Sequence, residues 1–70
     1  MSTKINLATI YSNAMPYLSD PITIKEFLES FTENEIEKDE LIEKVETKIN
    51  ASAGTLQTDF RILLNTINQL

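Results

Sequence analysis

The groups in this sequence that could do chemistry are carboxylates. There is no Cys and no His, which removes the thiolate nucleophile, the usual zinc ligands and the commonest general base. Ser, Thr, Lys and Tyr remain as nucleophiles, and no neighbouring base activates them. Glu33–Glu37 and Asp39–Glu43 are spaced to share a helix face. General acid–base work needs such a pair held in a cleft, where surroundings pull the two carboxyls apart in acidity; on a surface helix both stay solvated. A calcium loop needs a Gly at its sharp turn, and the stretch from Glu33 to Glu43 has none. The expectation is a chain that is not an enzyme and carries no metal and no cofactor.

The acids are concentrated in one place. Glu33, Glu35, Glu37, Asp39, Glu40, Glu43 and Glu46 are opposed locally only by Lys38 and Lys44, which accounts for the whole net charge of −5. Elsewhere Lys4, Lys25, Lys48 and Arg61 balance Asp20, Glu26, Glu29 and Asp59. Such a run reads either as a solvated helix surface or as a patch that meets a basic partner protein or mimics nucleic acid. In the second reading the contact residues are Glu35, Asp39, Glu40, Glu43 and Glu46.

The element carrying that run has to be positioned by others, and the strongest periodic signal lies at the C-terminal end. Leu56, Phe60, Leu63, Leu64 and Ile67 paint one apolar stripe along a helix beginning near Ser52, its natural N-cap. Before it, Thr32 to Glu35 has the form of a capping box, with Glu33 and Glu35 in the first turn and Leu41, Ile42, Val45 and Ile49 inward to about residue 49. Ile36 falls slightly off that phase, which allows a break near Lys38. Asn50 suits a left-handed residue after the helix. A second helix starts either at Thr23, with Glu26 completing a capping box, or at Asp20, with Pro21 at the first helical position; Ile24, Phe27, Leu28 and Phe31 are its apolar face. A first helix, capped by Ser2 or Thr3, carries Leu7, Ile10, Tyr11, Ala14 and Leu18 and ends near Ala14 or kinks there, because Pro16 cannot donate to residue 12. The prolines at 16 and 21 bracket a turn. The spacing predicts helices of roughly 10, 8, 16 and 16 residues, with no internal repeat and no strand.

Within the last two helices, Thr55-Leu-Gln-Thr-Asp-Phe-Arg-Ile-Leu63 resembles the recognition-helix pattern of DeoR-type helix-turn-helix repressors: Thr, aliphatic, two contact positions, Asp, apolar, two variable positions, Leu. The likeness covers residues 38–63, with Lys38 to Ile49 as the preceding helix and Asn50-Ala-Ser as the turn. It implies DNA contact through Thr55, Gln57, Thr58 and Arg61, while Leu56, Phe60 and Leu63 face the core. Gln57 and Thr58 stand where the family usually has basic residues, and Glu46 stands where it has a small one. Only Lys48 and Arg61 lie near the implied DNA face, and phosphate neutralisation supplies most non-specific affinity. A fainter likeness, in Thr47-Lys-Ile-Asn50 and the closing apolar run, is to type III secretion needle subunits, and implies a self-assembling helical hairpin.

Seventy residues form a single small helical domain spanning 1–70, burying only roughly 60% of its unfolded surface. Its stability is expected to draw on helix packing, self-association or a partner, and Ile5, Ile67 and Leu70 are the candidates for self-association. The five aromatics, Tyr11, Tyr17, Phe27, Phe31 and Phe60, fall mostly on apolar stripes and read as core rather than as a base-stacking platform. No stretch approaches the ~20 apolar residues of a membrane span, and residues 1–8 lack a signal-peptide apolar core. The sequence therefore reads as an all-α bundle of three to four helices, with a helix-turn-helix-like C-terminal pair and a cytoplasmic location. The expected role is a small protein–protein interaction module (a regulator, adaptor or inhibitor of the size that phages and mobile elements encode). A DNA-binding regulator and a secretion-needle-like subunit are the alternatives.

Overall fold

The structure, a computed structural model, describes residues 3–70. It is mainly helical, with a short two-stranded antiparallel ribbon that the sequence reading does not contain. Strand β1 (Lys4–Asn6) leads into helix α1 (Leu7–Ala14), which runs through a 3-10 turn (Met15–Tyr17) to α2 (Pro21–Glu29). Strand β2 (Glu35–Glu37) then leads into α3 (Lys38–Ala51) and α4 (Gly54–Asn68).

The order strand–helix–helix thus occurs twice. Ile5, Ile10 and Ala14 of the first unit correspond, at one constant separation, to Ile36, Leu41 and Val45 of the second, and all six are buried. The half-buried Tyr11 and Leu18 correspond in the same way to Ile42 and Ile49. The correspondence lies in burial and position, not in residue identity, and does not extend to α2, whose buried Ile24 stands 31 residues before the exposed Thr55.

The ribbon pairs Lys4 with Glu37, Ile5 with Ile36 and Asn6 with Glu35. Each strand sends its isoleucine inward and its polar residues outward, the period of two expected of a half-buried strand. Its two ends also solve a helix problem. The first amides of a helix have no partner within it. Leu7, the first residue of α1, donates to the Asn34 carbonyl at 2.9 Å, and Lys38, the first of α3, donates to the Thr3 carbonyl at 2.8 Å. Each unit therefore satisfies the opening amide of the other's helix. This explains why Lys38 begins α3 with no side-chain cap at Glu37.

Several expected helix starts move accordingly. The Asn6 side chain, rather than Thr3, caps α1 by accepting from the Thr9 amide at 3.1 Å; Ser2 lies outside the described residues. Thr32 and Glu35 form no capping box, because Glu35 is drawn into β2. At α2 the Asp20 alternative holds: its carboxylate accepts from the Thr23 amide at 3.4 Å and the Thr23 hydroxyl at 2.7 Å, with Pro21 next. Ser52 ends α3 instead of capping α4. The left-handed residue is Gly54, with φ of 64°, and not Asn50.

The core gathers Leu41 and Val45 of α3, Phe60, Leu63 and Ile67 of α4, Ile10 and Ala14 of α1, and Ile24 and Leu28 of α2. The C-terminal apolar stripe is inward as expected, with Leu56 and Leu64 half-buried at its margins. Phe27 stacks edge-on against both Phe60 (centroids 5.2 Å apart) and Phe31 (5.4 Å), contacts worth about 1 kcal/mol each beyond burial. Two of the three expected self-association residues are withdrawn into this core: Ile5 is 7% exposed and Ile67 fully buried, and only Leu70 remains at the surface. Tyr17 departs from the aromatic expectation, being 71% exposed.

Gly54 begins α4 in a conformation that an L side chain adopts at a cost of about 1–2 kcal/mol, although a Cβ there would meet nothing within 4 Å. Gly54→Ala should therefore destabilise the fold through backbone strain alone, by about 1 kcal/mol, with Gly54→Asn costing less. Urea midpoints of the two variants, at unchanged slope, check this.

Candidate functional site

The acidic run is divided between a loop, a strand and a helix. Glu33 lies in the loop after α2, Glu35 and Glu37 on the outer face of β2, and Asp39, Glu40, Glu43 and Glu46 on the exposed side of α3. The expected Glu33–Glu37 helical pair is thereby dissolved, while Asp39–Glu43 keeps its spacing within α3. The helix has its own use for Asp39 and Glu40, since acids in a first turn are favoured by its dipole.

Four of these acids converge. Glu33, Glu35, Glu37 and Glu40 line one open groove of about 430 Å³, over a floor of half-buried Phe31 and buried Ile36. The ribbon makes this convergence. Strand alternation puts Glu35 and Glu37 on the same outer face, and the immediate start of α3 places Glu40 beside them. Lys4 is the one cation lining the groove among the described residues, and it stands opposite Glu37 across the ribbon. Of the expected contact residues, the groove therefore unites Glu35 and Glu40. Asp39, Glu43 and Glu46 lie along exposed α3, outside it. Glu37 joins the site through the strand and Glu33 through the loop before it, not through helical spacing. Among the described residues no group of three or more acids is arranged to hold a metal ion, and no helix is long and apolar enough to cross a membrane.

The residues of the helix-turn-helix-like segment have other partners. Gln57 donates from Nε2 at 2.9 Å to the Ile49 carbonyl, which also accepts from the Ser52 amide at the end of α3, and the Thr58 hydroxyl donates to the Gly54 carbonyl at 3.3 Å. Thr55 and Arg61 are exposed on α4. Lys48 lies over the Phe27 ring, 5.9 Å from its centroid, a cation–π placement on the α2 side of the molecule.

Asp59, the acid of that same pattern, is the residue the sequence reading assigns no task. It is fully buried, and its two carboxylate oxygens accept from the backbone amides of Ser19 at 2.9 Å and Asp20 at 2.7 Å. A carboxylate taken from water costs several kcal/mol, and two charge-assisted bonds from otherwise orphaned amides offset that. The signal available in advance was a lone Asp at an inward position of the strongest apolar stripe, one residue before Phe60. An Asn at position 59 keeps one acceptor and turns a second donor toward an amide that already donates. Asp59→Asn should therefore lower stability by about 2–3 kcal/mol, and thermal and urea denaturation monitored by circular dichroism measure the loss.

Comparison with protein-family models, with curated proteins and with solved structures finds no match to this chain.

Proposed function

We propose that this chain is a non-enzymatic, cytoplasmic protein–protein interaction module that offers its acidic face to a basic partner protein. The observation that carries the reading is the convergence of Glu33, Glu35, Glu37 and Glu40 on one open groove, continued by Asp39, Glu43 and Glu46 along α3. Repulsion among these carboxylates is tolerated because the surface is wet, and a complementary positive surface would relieve it while steering encounter. The DeoR-like resemblance supports a second reading, DNA contact through α4, for which Thr55 and Arg61 remain exposed. It is the weaker reading, because Gln57 and Thr58 already bond within the chain and the acids would repel phosphate.

Charge reversal separates the two. In the first reading, proteins retained from lysate at low ionic strength are enriched in basic ones, and Glu40→Lys with Glu43→Lys lowers their retention about ten-fold. Duplex DNA measured by fluorescence anisotropy is ignored. If duplex DNA instead binds with a steep salt dependence, and Thr55→Ala with Arg61→Ala abolishes it, the DNA reading replaces the first. Sedimentation at rising concentration tests the secretion-needle likeness, which requires open-ended self-assembly.

A further inference from the structure

A second groove lies between α1 and α2, about 720 Å³ in volume, with Leu7, Tyr11, Leu28 and Phe31 as its apolar lining. Leu7 and Leu28 form its buried floor, and Tyr11 and Phe31 stand half-exposed at its sides. Lys25 and Glu29, which balance one another in sign, also line it. Phe31 and Glu33 line both this groove and the acidic one. The two grooves therefore adjoin at Phe31 and Glu33, a two-part trough that is apolar between α1 and α2 and acidic beside β2 and α3. Phe31, at the junction, makes an edge-on contact with Phe27.

We infer that this trough binds a basic amphipathic segment of a partner protein, whose apolar side chains enter between α1 and α2 and whose Lys or Arg side chains lie against Glu33, Glu35 and Glu40. The inference rests on the acidic-face reading above and adds the apolar half of the site and the chemistry of the segment it takes. Charge complementarity selects the occupant. An apolar segment alone leaves the carboxylates unanswered, and an acidic one meets them with like charge. Apolar contact at Tyr11 and Phe31 supplies the part of the affinity that salt does not screen.

The test uses the full chain and three synthetic peptides of equal length, with binding followed by titration calorimetry. The first has a Leu- and Phe-rich half joined to a Lys-rich half. The second replaces Leu and Phe by Ser, and the third replaces Lys by Glu. The first should bind, and the other two should bind at least about ten-fold more weakly. Ala8→Arg, at an exposed position on the apolar groove, and Glu33→Lys with Glu40→Lys should each weaken the first peptide by about ten-fold. Both variants alter surface positions, and circular dichroism establishes that they fold. Amide shifts on titration should cluster at Leu7, Tyr11, Phe31, Glu33 and Glu40. If the Ser-substituted peptide binds as tightly as the first, and Ala8→Arg changes nothing, the trough is overturned while the acidic face stands. If the Glu-substituted peptide binds equally well, charge complementarity is overturned and the acidic-face reading falls with it. If none of the three binds, both readings fall.

Discussion

A single buried carboxylate holds the two halves of this molecule in register. Asp59 projects from α4 into the core and accepts the amides of Ser19 and Asp20, some forty residues earlier in the chain. Those amides belong to the turn that Pro16 and Pro21 make necessary, and Asp20 is itself the cap of α2. The dependence runs in series. Asp59 fixes the backbone of Asp20, the Asp20 side chain holds Thr23, and the start of α2 is set by both. The rest of α2 follows, including Phe27 against Phe60 and Leu28 in the core. A polar group at the centre of a small core weighs more than one apolar contact, since only one arrangement of the chain satisfies it. The packing of α1 and α2 over α4 is consequently specified by direction as well as by greasiness.

The ribbon supplies the second constraint. Ile5 and Ile36 bring the two strand–helix–helix units together, and the carbonyls of Thr3 and Asn34 receive the opening amides of α3 and α1. The paired strands thus also satisfy the first amides of α1 and α3. The acidic groove is a by-product of this arrangement: the strand turns Glu35 and Glu37 outward, and the helix that must begin at Lys38 puts Glu40 alongside.

The helices were legible in the sequence because a stripe of apolar residues survives over several turns; Leu56 to Ile67 and Leu41 to Ile49 are inward much as their spacing implies. The strands were not. Lys4-Ile5-Asn6 and Glu35-Ile36-Glu37 each alternate polar, apolar, polar, but three residues are too few to separate a period of two from a helical flank. The off-phase position of Ile36 was the visible trace of β2. The acidic run was legible as composition, while its partition was not, since which acids share a groove depends on where strand gives way to helix. Asp59 was hidden for a different reason. A pattern that resembles a recognition helix explains an inward Asp by position alone, and its partners, being backbone amides of a distant turn, leave no mark in side-chain identity.

The brevity of the ribbon bears on how this protein behaves when crowded. A two-stranded sheet has two open margins, and long, flat margins recruit further chains into fibrillar stacks. Here each margin extends for three residues before a helix begins. The exposed side chains along them are Lys4 and Asn6 on one and Glu35 and Glu37 on the other. A second molecule trying to lengthen the sheet through the glutamate margin of a like copy would set carboxylate against carboxylate, with almost no backbone left to pair. The same economy that lets each strand start the other unit's helix leaves too little template for cross-β growth.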